Sequence, residues 1–541
     1  MKKVLFVLLL VLALTSTTVA AGEPGFFTSQ SAMLTTSIAS ASVLPIISVG
    51  DTMPNGYRFE AIPDGIGVTP NGAGTVDVFV NHETSLVPFP FTGNVATCTA
   101  SPANCLSDFD NSQVSKLKLH QNSAGVLSGE LAITSSANYQ RFCSSFIAGE
   151  EHGFKHPIYF ANEEATDFVS PPPLLAWPPD PSNQRQAGLV VALDTKNGKT
   201  YEIPGMGRHN HENTVVVPGG WDEIVALSGD DTFVAPASQL YMYTADSGDD
   251  LLADNGTLWA FRVTSKNGAA VTPTNAFNGA NDYGDFALPT DVMTGEFIEV
   301  PRATAVGDQT PLENWSNTNN VFQFIRVEDI AYDKNDPRIV YFADTGEPRA
   351  TAVGSTTGRL RRGSSFTPPA TAGPYPNGRI FKMVLNEDDP LVVDSLTILI
   401  NADAGGYYNP NALHNPDNID TSAAGSLMIQ EDPGSHNGFN AGFPNATNAR
   451  IWRYDLATGA LSVVAEVDQS LMPLSPKGNW ESSGIVDVST VFGPGTWLLN
   501  IQAHSLFVET EVRTVTIGTA SGPVTFKREG GQLILLTIPD S

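Results

Sequence analysis

The chain has 541 residues, with 29 Lys and Arg against 57 Asp and Glu, for a formal net charge of -28. An acidic balance of this size repels nucleic-acid phosphates and excludes nucleic acid as a partner. Gly and Pro are abundant and charged residues make up only 16%, which suits many short strands joined by turns rather than a disordered or helical chain.

Taken in chain order, the first feature is Met1-Lys2-Lys3, an apolar run from Val4 to Leu14, and small residues through Ala20 and Ala21. This is the pattern of a secretory signal peptide over residues 1–20. It leaves a mature chain, 21–541, expected to be one domain and to be secreted or periplasmic. Lys2-Lys3 points to the general secretory route. The apolar run is too short to span a bilayer, and no later stretch is longer, so no membrane insertion is expected. Cys98 and Cys105 lie close together in a polar loop, where an oxidising compartment permits a small disulfide. Cys143 is left over, open to three readings: an inert buried thiol, a reactive one, or a metal ligand.

Alternating apolar runs flanking turns predict β-hairpins over Val114 to Ile133, Leu189 to Ile203, Leu258 to Val271, Ile380 to Ile400 and Ile451 to Val467. A hairpin recurring along the chain, with long polar or Pro-rich loops between copies, predicts an all-β fold: a β-propeller, six-bladed, with loop insertions. A pair of β-sandwiches is the competing architecture.

Five polar clusters sit at the ends of these strands: Asn81-His82-Glu83; Asn162-Glu163-Glu164; Gly207 to Asn213, with Gly229-Asp230-Asp231; Arg326-Val327-Glu328; and Pro416-Asp417-Asn418, with Glu431-Asp432. Each places carboxylates beside apolar residues, where they are costly unless paired. Lys and Arg are too few to pair them all, so metal ions are the natural counter-charge. Oxygen-rich sets suit calcium, and a carboxylate set with Cys or His suits iron. Each cluster also has a plainer reading. His82-Glu83 fits an edge pair, Asp230-Asp231 fits a turn, and Arg326 with Glu328 fits an ion pair. Successive strand residues face opposite ways, so at most one of Glu163 and Glu164 can be a ligand. No phosphate-binding glycine loop, dinucleotide fingerprint, serine nucleophile elbow or zinc-helix motif occurs.

In order, these clusters resemble the PhoX-type alkaline phosphatases and their uncharacterised relatives. The resemblance rests on Asn81-His82-Glu83, Cys143 with Glu163-Glu164, Gly207-Arg208-His209-Asn210-His211-Glu212, Gly229-Asp230-Asp231, Arg326-Val327-Glu328 and Pro416-Asp417-Asn418. It implies a propeller that hydrolyses small phosphate monoesters at an iron–calcium cluster. Cys143, Glu212 and Glu328 then correspond to iron ligands, and Glu164 with neighbouring acids to calcium ligands. The full set of expected metal ligands is Cys143, Glu83, Glu163, Glu164, Glu212, Asp230, Asp231, Glu328, Asp417 and Glu431. Arg326, Glu212 and Glu328 are the expected catalytic residues, with Arg326 on the phosphate. Two features depart from the family pattern: Asn162 replaces a second cysteine, where Glu150-Glu151 offers another alignment for the Glu-Glu motif, and Lys2-Lys3 stands where the family's phosphatases usually carry a twin-Arg export signal. A phytase-like or lactonase-like hydrolase and a non-catalytic calcium-stabilised scaffold are the alternatives.

Overall fold

The computed structural model describes residues 25–88, 106–171, 179–232, 238–271, 290–346, 377–406, 409–434, 436–440, 442–443, 445–471, 479–517 and 520–539. The expected leader and the Cys98 and Cys105 pair lie outside these residues. Successive antiparallel strands form six blades. Their innermost strands are, in blade order, Pro63–Gly72, Phe142–Ala148, His211–Val216, Val327–Asp333, Pro416–Thr421 and Glu481–Asp487. Each inner strand touches the next, and the sixth touches the first, so the ring closes. The N-terminal strand Ser42–Ser48 pairs with the C-terminal strand Ala520–Thr537 in blade 6. Leu34–Thr35 pairs with Leu461–Val467 in blade 5. Both chain ends therefore fasten the closing blades together.

An apolar cluster fills each of the six seams between blades. Strand alternation feeds two seams at once. In Val190–Asp194 of blade 2, Val190 and Ala192 enter the seam with blade 3, while Val191 and Leu193 enter the seam with blade 1. Most strands are consequently apolar on both faces.

Four of the expected hairpins are the outer strand pairs of blades 1, 2, 4 and 5. In blade 3 the expected Leu258 to Val271 hairpin is present as Thr257–Lys266 turning back onto Ala269–Ala270, and it lies outside the pair of Leu240–Ala245 with Thr257–Lys266. The outer strand Thr257–Lys266 pairs chiefly with Met293–Glu299, which continues to Val392–Asn401 and welds blades 3 and 4 into one sheet.

The feature that positions the functional end is a repeated irregularity. In blades 1 to 5 the inner strand gains one residue over its neighbour directly after its first pair: between Pro63 and Ile66, Phe142 and Ser145, His211 and Thr214, Val327 and Ile330, and Pro416 and Ile419. Such bulges re-aim side chains. Blade 6 has its slip later, between Ser483 and Val486. The residue opposite each first pair is His82, Glu163, Asp230, Asp344, Glu431 or Gln502.

Three of these residues act as clamps. Glu163 accepts from the backbone N–H groups of Gln140 and Leu189 and is gripped by Arg185. Asp344 pairs with Arg379 at 2.8 Å. Glu431 accepts from the N–H groups of His414 and Arg450, from the Arg450 side chain and from the Trp452 indole. Removing one partner of a buried ion pair strands the other charge. Arg450→Ala is therefore expected to cost about 3–5 kcal/mol, measured by chemical denaturation. A cost below about 1 kcal/mol would remove the clamp role.

Candidate metal centre

The second residue of each inner strand, inside the bulge in blades 1 to 5, is Asp64, Cys143, Glu212, Glu328, Asp417 or Ser482. One residue past the end of the neighbouring strand stand Glu83, Glu164, Asp231, Thr345 and Asp432 in blades 1 to 5. Their backbone N–H groups donate at 2.9 to 3.0 Å to the carbonyls of Ile62, Arg141, Asn210, Arg326 and Asn415, the residues that lead into the inner strands. Four of these leading residues have positive φ: Ile62 (46°), Arg141 (42°), Arg326 (116°) and Asn415 (43°). A non-glycine residue held there stores strain, which collects at functional sites.

Two tiers of residues thus meet on the axis. Their ligand atoms fall into three groups, each with all atoms within 4.8 Å: Asp64, Glu83 and Cys143; Cys143, Glu164 and Glu212; and Glu212, Glu328 and Asp417. Cys143 and Glu212 are shared, so the groups form one continuous arc. Cys143 Sγ lies 3.1 Å from Glu212 Oε1 and 3.5 Å from Asp64 Oδ2. Ser144 donates to Glu212 at 2.9 Å, and Gln502 donates to Asp64 at 2.7 Å and to Glu83 at 3.2 Å. Arg326 Nε and Nη2 grip Asp231 at 2.7 Å each, and Nη2 lies 3.2 Å from Glu328.

Without a cation these acids oppose one another. Burial, with smaller additions from neighbouring carboxylates, raises Asp64 to about 7 and Glu83 to about 8. Glu164, Glu212, Glu328 and Asp417 are pushed well above the usual carboxylate range for the same reasons. Burial, then Asp64 and Glu212, raises the Cys143 thiol. Burial opposes the Arg326 charge, but Asp231 and Glu328 hold it protonated.

The donor set fits metal ions. It gathers six carboxylates and a thiol, and Asp417 Oδ1 is buried with no hydrogen-bond partner.

The expected ligands divide cleanly. Cys143, Glu83, Glu164, Glu212, Glu328 and Asp417 are brought together. Glu163 and Glu431 are corrected to structural clamps, their oxygens being taken by Arg185, Arg450 and backbone N–H groups. Asp230 is likewise outside the arc, receiving Thr232 Oγ1 at 2.8 Å with His209 Nδ1 3.8 Å away. Asp231 faces Arg326. Glu150 and Glu151 are exposed on a short turn, which settles the Glu-Glu alignment on Glu163-Glu164. Asn162 is buried and donates to the Ser144 carbonyl at 2.9 Å. Asp64 was missed because Pro63-Asp64-Gly65 has turn chemistry. Its parallel with Pro416-Asp417-Asn418, each one hairpin before a second acid, is the signal that finds it.

The fold and this arc define a propeller protein with a candidate carboxylate–thiol metal centre. The family model for alkaline phosphatase PhoX matches residues 162–459. The chain belongs to that family, and is by that membership a metal-dependent alkaline phosphatase acting on small phosphorylated substrates. Family membership supports the phosphatase reading over the lactonase-like and non-catalytic alternatives.

Among solved structures, Pseudomonas fluorescens PhoX in complex with vanadate, a transition state analogue, aligns with a TM-score of 0.60 and 16% identity over 93% of this chain and 95% of that one. It supports the fold. The GH93 α-L-arabinofuranosidase of Fusarium graminearum, with a TM-score of 0.38 and 8% identity over 91% and 97%, is too distant to bear on function. The same holds for the NanB sialidase of Streptococcus pneumoniae, with 0.37 and 8% over 89% and 69%. No curated protein sequence matches.

The raised carboxyls set the pH dependence of the metal-free protein. A carboxyl whose folded pKa exceeds its unfolded value binds more protons when folded, so stability falls as pH rises between the two. For Asp64 and Glu83 that window runs from about 4 to about 8, with up to about 1.4 kcal/mol lost per pH unit for each group. Thermal melts after chelation should fall across this window, and metal should flatten the decline. A flat profile without metal would contradict the repulsion.

Proposed function

We propose that the arc holds iron at the groups containing Cys143 and calcium at the all-carboxylate group of Glu212, Glu328 and Asp417, and that phosphate monoesters are hydrolysed there. Bound, such ions polarise phosphoryl oxygens, lower the pKa of water and neutralise developing charge. The observation that carries this reading is the continuity of the three groups through the shared Cys143 and Glu212.

Arg326 is the phosphate contact. Asp231 fixes its guanidinium plane through two bonds, so it meets an equatorial phosphoryl oxygen without reorganising. Glu212 is oriented by Ser144, and Asn418 donates to the same Ser144 hydroxyl at 2.5 Å, a chain of contacts that fixes the shared carboxylate. Asp64 and Glu83 are fixed in turn by Gln502. The leader over residues 1–20 exports the chain by the general secretory route to a secreted or periplasmic location.

Hydrolysis of p-nitrophenyl phosphate tests this reading. Exhaustive chelation is expected to abolish turnover and re-addition of calcium and iron to restore it. Arg326→Met and Glu212→Gln should each lower kcat by about 10²-fold or more. Turnover surviving chelation would contradict the assignment.

A further inference from the structure

Blade 6 breaks the pattern of the other five. Its inner-strand residue on the axis is Ser482 rather than a ligand, and its long hairpin, Thr496–Ile517 with Ala520–Thr537, carries a second irregularity. The register slips between Ala503 and Phe507, throwing His504 and Ser505 out of the ladder. Bulges beside active sites re-aim side chains. Ser505 takes φ 68° and its N–H donates to Glu529 Oε1 at 3.0 Å. His504 Nδ1 bonds Glu529 Oε2 at 3.0 Å, and its Nε2 lies 3.8 Å from Glu481 Oε2. Lys527 holds Glu529 from behind at 3.2 Å.

Glu481, His504 and Ser505, with Asn479, Pro433 and Gly434, line an open pocket of roughly 280 Å³. The pocket adjoins the metal centre by register. Glu481 pairs with Gln502, whose amide reaches Asp64 and Glu83, and immediately precedes Ser482.

The lining is mixed: Pro433 and Gly434 give it an apolar side, and the Asn479 amide, the Ser505 hydroxyl, the His504 imidazole and the Glu481 carboxyl give it a hydrogen-bonding one. The Asn479 amide donates to Ser505 Oγ at 2.9 Å, leaving its oxygen as an acceptor and the Ser505 hydroxyl as a donor. Glu481, whose carboxyl is pushed well above the usual carboxylate range by burial and by Asp432 beside it, adds an acceptor and, when protonated, a donor. Although burial opposes it, Glu529 favours the charged form of His504, which then offers an Nε2–H donor. Alternating donors and acceptors match hydroxyl groups, which supply both. A plain alkyl group would desolvate these atoms without replacing their bonds.

We infer that this pocket receives the leaving alcohol of the substrate and selects hydroxyl-bearing alcohols, such as glycerol or a sugar, over plain alkyl ones. The inference rests on the phosphatase reading of the adjoining centre. His504, Asn479 and Glu481 are specificity determinants, and Glu529 positions His504.

The test compares kcat/KM of the metal-loaded, full-length protein on glycerol 3-phosphate and n-propyl phosphate, which differ only in the two hydroxyls. Glycerol 3-phosphate should be preferred about tenfold or more. His504→Ala and Asn479→Ala should each bring the ratio toward one, chiefly through KM for glycerol 3-phosphate. Asn479 lies outside any strand, so its variant decides if His504→Ala fails to fold. A ratio near one in the wild type, or a ratio that neither variant moves, overturns the inference. Turnover of p-nitrophenyl phosphate separates the failures: present, with no preference, it sinks only the pocket's role; absent from metal-loaded wild type, it sinks the phosphatase reading and the pocket's role with it.

Discussion

Six carboxylates and a thiol held on one axis, all buried but the half-buried Glu83 and Asp417 and within a few ångströms of their neighbours, are a repulsive arrangement that protein groups alone do not neutralise. Burying an unpaired charge is costly, and like charges raise that cost. The guanidinium closest to hand, Arg326, is already engaged by Asp231 and Glu328. The centre must therefore hold protons or cations. At the pH where an alkaline phosphatase works, cations are the effective choice. The bulges, the five repeated N–H to carbonyl bonds and the positive-φ residues are the means by which the blades keep these acids together.

Blades 2, 4 and 5 separate clamping from ligation. Glu163 and Glu164 are sequence neighbours in opposite roles: one closes the end of a strand with Arg185, and the other crosses to the axis. Glu431 and Asp432 stand in the same two positions, as do Asp230 and Asp231. Strain at Ile62, Arg141, Arg326 and Asn415 costs on the order of 1–3 kcal/mol each. It persists because these clamps over-determine the backbone around it. Blade 6 contributes Ser482 where the other blades contribute a ligand, so the arc of ligands opens on one side toward the hydrogen-bonding surface of Gln502 and His504. That asymmetry gives a substrate a direction of approach.

Much of the fold was legible because hairpins recur and their alternation is preserved in blades 1, 2, 4 and 5. In blade 3 the expected Leu258 to Val271 hairpin is short, since Ala269–Ala270 covers only the end of Thr257–Lys266, whose main partner is Met293–Glu299. At the site, Cys143, Glu212, Glu328 and Asp417 were legible from the order of their motifs. Glu163 and Glu431 were misread as ligands because a buried clamp and a buried ligand share one sequence signature, an acid among apolar strand residues. What tells them apart is the arginine opposite, and Arg185 and Arg450 are each about twenty residues downstream. Asp64 escaped because its Pro and Gly neighbours also spell a turn. The His504 bulge has no local signal at all, since nothing in its residues announces a register slip.

Anomalous diffraction from crystals of the metal-loaded protein, recorded at wavelengths that separate iron from calcium, tests the centre most directly. Iron peaks should fall beside Cys143, between Asp64, Glu83, Glu164 and Glu212, and a calcium peak should fall among Glu212, Glu328 and Asp417. Ions bound only at exposed acidic surface, with the Asp64 to Asp417 arc free of density, would contradict the assignment of this arc as the metal centre.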